Sequence, residues 1–187
     1  MITGNQMQPD TSKLRRMSLI YETLFERNKA LKGAFNLIIS NAEIYELPTI
    51  LELQYEAYQS EAEIYQEIIP PQKQSLREIE DEFREGIILK ATIEDKIVGS
   101  VRAFIRDGVC IIGKLIVKPE LQNRGIGKRL MKEIESVYSQ AKRKELFTGH
   151  KSIKNLELYN KLGYQKYKEI EVNENLKMIY MYKEDGD

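Results

Sequence analysis

Val117-Lys118-Pro119-Glu120-Leu121-Gln122-Asn123-Arg124-Gly125-Ile126-Gly127-Lys128-Arg129-Leu130 decides the fold, because it reads as the end of an apolar strand, a glycine-rich turn and the opening of a basic helix. Glycine lets the backbone approach a ligand closely, and the unpaired N–H groups of a helix's first turn aim partial positive charge at whatever sits above them. The stretch therefore forms an anion cradle. Its expected guest is a phosphate.

Spacing separates three kinds of phosphate site. A dinucleotide fingerprint needs a third glycine three residues after the second, and Leu130 stands there. A P-loop spacing begins at Gly108 and runs to Gly113-Lys114, but Leu115 replaces the Ser or Thr that would hold magnesium, and the segment is β-branched and apolar like a strand. What remains is Gln122-x-x-Gly125-x-Gly127, led in by the strand Ile111 to Val117 and by Val117-x-Pro119. This resembles the acyl-CoA signature of the GNAT acetyltransferase superfamily. Downstream, Leu146-Phe147-Thr148-Gly149, Asn155 and Leu158-Tyr159-Asn160-Lys161-Leu162-Gly163-Tyr164 are similar to the family's C-terminal half, where a strand leads into a helix carrying an Asn and a Tyr. The resemblance spans residues 35 to 184.

Composition agrees with one compact enzyme domain. The chain has 187 residues, one domain's worth, with Lys+Arg and Asp+Glu both at 29, so net charge argues for neither nucleic acid nor membrane as a partner. Charge is nevertheless distributed unevenly. Residues 59 to 86 are acidic, with Glu61, Glu63, Glu67, Glu78, Glu80, Asp81, Glu82 and Glu85 against Lys73, Arg77 and Arg84, whereas residues 114 to 168 are rich in Lys and Arg. Both runs read as solvated helix faces; alternatively, the basic half meets CoA phosphates and the acidic arm greets a cationic amine. The single cysteine, Cys110, lies in an apolar strand, so it reads as core packing and suggests a reducing compartment. Met1 to Asp10 lack the apolar core of a signal peptide, and no apolar run approaches the ~20 residues of a membrane span. The expected location is cytoplasmic.

Along the chain, Leu14, Met17, Tyr21, Leu24, Asn28 and Leu31 recur at three- and four-residue steps, predicting an amphipathic helix over Ser12–Lys32 that ends at Gly33. The expected division is an N-terminal helical extension, 1–34, and an acetyltransferase domain, 35–187. The extension packs on its own domain, serves a homodimer contact or is a partially ordered appendage. Ala34–Ile39 reads as a first strand, Leu47–Tyr58 as a helix with Pro48 in its first turn, and Ser75–Glu85 as a second helix after Pro70-Pro71. Ile87–Ile93, Lys96–Ile105 and the strand ending at Val117 follow as antiparallel strands joined at Glu94-Asp95 and Asp107-Gly108. Ile126, Leu130, Ile134, Val137 and Tyr138 mark one face of the next helix; strands Glu145–Thr148, Tyr164–Ile170 and Leu176–Tyr182 complete the chain. The fold class is α/β of the α+β kind: a mixed, mostly antiparallel sheet flanked by helices, with an extra N-terminal helix.

The resemblance implies acetyl-CoA as cosubstrate and direct transfer of its acetyl group to an amine, on a small molecule or a peptide. It places the pantetheine arm along the backbone of Leu115, Ile116 and Val117. It places the pyrophosphate on the amides of Gln122, Asn123, Arg124, Gly125, Ile126, Gly127 and Lys128, with Arg124, Lys128 and Arg129 adding charge. Tyr159 matches the tyrosine that protonates the departing thiolate, a role suited to a phenol with pKa about 10. Asn155 matches a contact to the CoA arm, while Ser152 reads as the N-cap of that helix. Val109–Val117 offers no carboxylate, so Glu61 is the candidate base; a solvated glutamate is the plain alternative. His150, the single histidine, could relay a proton but reads as an ordinary loop residue. A lone His and a lone Cys build no familiar metal cluster, so no metal is expected. A CoA-binding module without catalysis and an acyltransferase for another acyl group remain as alternatives.

Overall fold

The computed structural model describes residues 36–67 and 69–184. The expected Ser12–Lys32 helix lies outside the described residues. Seven strands form one sheet in the order β1-β2-β3-β4-β5-β7-β6. They are β1 Ile38–Asn41, β2 Ile87–Ile93, β3 Lys96–Arg106, β4 Val109–Val117, β5 Arg143–Gly149, β6 Gln165–Glu171 and β7 Lys177–Glu184. The helices are α1 Leu47–Tyr65, α2 Leu76–Glu85, α3 Ile126–Val137 and α4 Ile153–Lys161. Among the described residues no helix is long and apolar enough to cross a membrane.

Every strand pair is antiparallel except β4 with β5. Those two run parallel and pair only at Val109–Arg143, Cys110–Lys144 and Ile111–Glu145. Beyond Ile111 they splay, and among the described residues the β5-facing edge of β4 has no strand partner there. A bulge sits on the same stretch: Arg102 of β3 faces Gly113, but Ser100 faces Ile116, so Lys114 and Leu115 together oppose Val101. Lys114 takes the extra residue's strain at φ 50°, a left-handed value.

Side-chain alternation on β3 sorts the helices onto opposite faces. A Cβ on Gly99 would meet Leu130 of α3, whereas Arg102 bonds Gln54 of α1 and Glu82 of α2. Leu89, Val101, Ile112, Leu130, Met131 and Ile134 fill the core on the α3 side; Leu47, Ile50, Leu53, Ile79, Ile88 and Ile116 fill the other. Cys110 is fully buried and its thiol pKa is pushed up to about 11, mainly by burial, as core packing requires.

Three expectations shift. The first strand begins later than expected, at Ile38, because its register against β2 pairs Ile38 with Thr92 and Asn41 with Leu89. Val137 is 43% exposed rather than buried, and Met131 takes the inner position on α3. The third change matters most. Helix α1 does not stop at Tyr58 but continues to Tyr65, since nothing between them breaks a helix, and Gln66 closes it in the left-handed conformation by donating to Ala62 and Glu63. The added turns carry Ser60, Glu61 and Ile64 across the open end of the sheet. Tyr65 pins them there: its hydroxyl accepts from the Lys151 N–H at 2.8 Å, and its ring lies 5.8 Å from that of His150. A Cβ on Gly149 would stand 2.1 Å from the Tyr65 hydroxyl, so this approach requires glycine.

Candidate active site

The splayed end of β4, the mouth of α3, the start of α4 and the extended part of α1 enclose a cavity of about 510 Å³. Gly125 is the N-cap of α3 at φ 83° and Ile126–Val137 make up the twelve-residue helix, so the first-turn amides open on this space. A Cβ on Gly125 would meet nothing, and one on Gly127 would make only ordinary contacts with Leu115, Leu158 and Val117. Room for a bulky group thus exists at the helix mouth. Lys128, Lys151, Lys154 and Lys161 stand around the same cavity.

The structure brings most of the expected cofactor residues together. Leu115, Ile116, Val117, Gln122, Asn123, Gly125, Ile126, Gly127, Lys128 and Asn155 all line the cavity. Gln122 also ties the turn to the strand, its Nε2 donating to the Val117 carbonyl at 3.1 Å. Arg124 is not part of the lining, and Arg129 turns away to donate to the Leu37 carbonyl at 3.1 Å. The basic first turn therefore presents Lys128 alone of those three cations.

Glu61 lines the opposite wall, on α1. Asn155 Nδ2 donates to its carboxylate at 2.7 Å, so the expected CoA contact and the expected base are bonded to each other. Burial is the main cause that raises the Glu61 pKa; Ser152 and Asn155 pull the other way, and no cation contributes. Ser152 corrects its expected role. It occupies the N-cap position of α4 but makes no capping bond, and its buried hydroxyl faces Glu61 short of full hydrogen-bond geometry.

Tyr159 is 6% exposed, lies in the core beside Tyr164 with ring centroids 6.1 Å apart, and is not part of the cavity lining. Burial, then the Glu61 charge, pushes its pKa far above 10.0. The tyrosine on the cavity wall is Tyr58, one helical turn before Glu61, which the sequence reading passed over among eleven tyrosines. His150 holds β7 instead of facing a substrate: its Nδ1 accepts from the Lys177 N–H at 3.1 Å.

Behind this wall lies a buried polar network. Arg102, 5% exposed, donates to Glu82 at 2.5 Å, to Gln74 at 3.0 Å and to Gln54 at 2.6 Å, and Lys114 at the bulge pairs with Glu82 as well. It ties β3 and the strained residue of β4 to α1 and α2.

A strand here parts from its parallel neighbour beside a glycine-capped helix mouth. A family model for the acetyltransferase (GNAT) domain matches residues 52–185, and the chain belongs to that family: it is an acetyl-CoA-dependent N-acetyltransferase. Solved structures share the fold. A PaiA N-acetyltransferase from Thermoplasma acidophilum in complex with coenzyme A aligns with TM-score 0.66 and 19% identity over 80% of this chain and 99% of its own. The ribosomal-protein-S18-alanine N-acetyltransferase from Escherichia coli aligns with TM-score 0.65 and 15% identity over 78% and 92%. The IAA acetyltransferase from Bacillus cereus aligns at 0.60 and 21% over 79% and 99%. No curated protein matches the sequence.

Proposed function

We propose that the protein transfers an acetyl group from acetyl-CoA directly to a cationic amine on a small molecule or a peptide, with no covalent enzyme intermediate. The observation that carries this reading is the polarity of the cavity. The mouth of α3 offers helix amides and Lys128, which suit a pyrophosphate. Across the cavity, on α1, stands Glu61, half-buried and bonded to Asn155, with no salt bridge among the described residues; a desolvated charge without a counter-ion is costly unless a ligand pairs it. An ammonium group would do so and then give Glu61 the proton that it must lose before attack. The free edge of β4 at Leu115–Val117 offers backbone groups to the pantetheine amides. The amine nitrogen then bonds the acyl carbon, the C–S bond breaks, and the second proton of the amine passes through water to the departing sulfur; Tyr159, the residue expected in that role, lies in the core off the cavity lining.

The test is release of free CoA thiol by the purified protein against a panel of amines. Cationic primary amines should be acetylated and anionic ones should not; a panel won by neutral or anionic amines overturns the acceptor assignment. Binding of acetyl-CoA with no turnover on any amine would favour a binding module instead.

A direct check of the cradle is Gly127→Val, whose two added methyl groups would occupy the space above the first turn of α3. Acetyl-CoA affinity measured by calorimetry should fall by at least about tenfold, roughly the 1.4 kcal/mol of one obstructed phosphate contact. Unchanged affinity in the folded variant would move the pyrophosphate elsewhere.

A further inference from the structure

We propose that the Tyr58 hydroxyl is a further catalytic group of this site, donating a hydrogen bond to the thioester carbonyl oxygen as negative charge gathers on it. The inference rests on the acyl-CoA reading above and adds a residue which that reading does not use.

Placement comes first. Helix α1 carries Tyr58 and Glu61 three residues apart, which sets them on one helical face, and both line the cavity together with Leu115–Val117 of the splayed strand. The acyl end of a pantetheine lying along β4 therefore arrives between this face and the strand. The charges of Glu61, Arg102 and Glu82 all act on the Tyr58 hydroxyl.

Satisfaction of the hydroxyl comes second. A phenol O–H sunk in a protein normally finds an acceptor. Tyr58 is half-buried at the cavity wall, and among the described residues its hydroxyl makes no hydrogen bond. A donor held at a cavity wall without a partner is poised for an acceptor atom of the ligand.

The chemistry then assigns the atom. A thioester gains negative charge at two places, the carbonyl oxygen when the amine adds and the sulfur when it leaves. Burial drives the Tyr58 pKa far above its ordinary 10.0. Such a phenol parts with its proton reluctantly but keeps it at every working pH, so it suits an oxyanion that needs a hydrogen bond and no proton transfer. No atom changes hands in this step. The C–N bond forms, charge rises on oxygen, the carbonyl re-forms as the C–S bond breaks, and the Tyr58 O–H remains intact throughout.

The experiment uses Tyr58→Phe, with Tyr159→Phe beside it. On an amine that the parent acetylates, Tyr58→Phe should lower kcat by about 10²-fold, the size of one lost oxyanion donor, with KM for the amine unchanged. Calorimetry with S-acetonyl-CoA, which keeps the carbonyl but cannot react, should show affinity falling several-fold while that for free CoA holds; Tyr159→Phe, whose ring lies in the core off the cavity lining, should show no such selective loss. Removing a hydroxyl that has no protein partner should leave the thermal midpoint equal or higher, whereas a structural hydroxyl would lower it. Full kcat in Tyr58→Phe, or equal losses for S-acetonyl-CoA and CoA, overturns the assignment. Failure of the parent itself to bind either CoA compound overturns the acyl-CoA reading as well, a result readily told from the first.

Discussion

Glu61→Gln should lower kcat/KM for the amine by about 10²–10⁴-fold, the range of a lost general base, while acetyl-CoA affinity stays close to that of the parent. Gln keeps the shape of the side chain and can still meet Asn155, but it can neither attract an ammonium nor take its proton. The pH profile adds a second reading of the same group. Burial outweighs the pull of Ser152 and of the Asn155 hydrogen bond and raises the Glu61 pKa above 4.5, so the acid limb of kcat/KM should lie above that value. Activity is lost as pH falls through the raised pKa, because only the carboxylate is competent, and Glu61→Gln should abolish that limb. Stability runs in the opposite sense. A carboxyl whose folded-state pKa is raised favours the fold while protonated and loses that contribution as pH rises through the folded value. At neutral pH the parent bears the cost of this half-buried charge, so the variant should unfold at a higher temperature. A Glu61→Gln enzyme with the parent's rate and acid limb would remove Glu61 from the mechanism.

The same residue shows how far the sequence could be read. The cradle was legible because Gly125, Gly127 and the strand before them are local: one strand, one turn and one helix mouth hold every group involved. The antiparallel hairpins were legible for the same reason, with Glu94-Asp95 and Asp107-Gly108 as their turns. Tyr58 was not legible. Its meaning depends on α1 running seven residues past Tyr58, to Tyr65, and on Tyr65 meeting Gly149, a contact between residues far apart in the chain. Helical periodicity over residues 59–65 was available as a signal, since Gln, Ser, Glu and Ala there continue a helix well. The splay of β4 from β5 was equally hidden, for a parallel pair that stops after three registers leaves no mark on either strand. Arg102 and Lys114 read only as charges in β-rich segments, and their shared partner Glu82 lies on another helix.

Glu82→Ala should lower folding stability by about 3 kcal/mol, at the low end of the ~3–5 expected when one partner leaves a buried ion pair, because Glu82 itself is a third exposed. For a chain of this size that is a fall of on the order of 10 °C in Tm. Two cations would remain without their anion: Arg102, already carrying an unpartnered Nε, and Lys114 at the bulge. Burial holds the pKa of both below the ordinary value, opposed chiefly by Glu82, so its removal makes their charged forms dearer still. Burial alone would raise the Glu82 pKa, but Lys114 and Arg102 outweigh it and the net shift is downward. A depressed carboxyl stabilises the fold above its unfolded pKa and loses that contribution as pH falls through the folded value, so the parent should weaken in acid below about 4.5 and the variant should lack this step. Adding Arg102→Met to Glu82→Ala removes the more deeply buried cation with its partner and should recover part of the loss, since apolar replacement of a buried pair is often neutral or better. A single variant that melts with the parent, or a double variant weaker than the sum of both changes, would show that the network does not hold the bulge in place. If it does hold the bulge, loosening Lys114 should also disturb the adjacent backbone of Leu115–Val117, and Glu82→Ala should weaken acetyl-CoA binding even though Glu82 does not line the cavity.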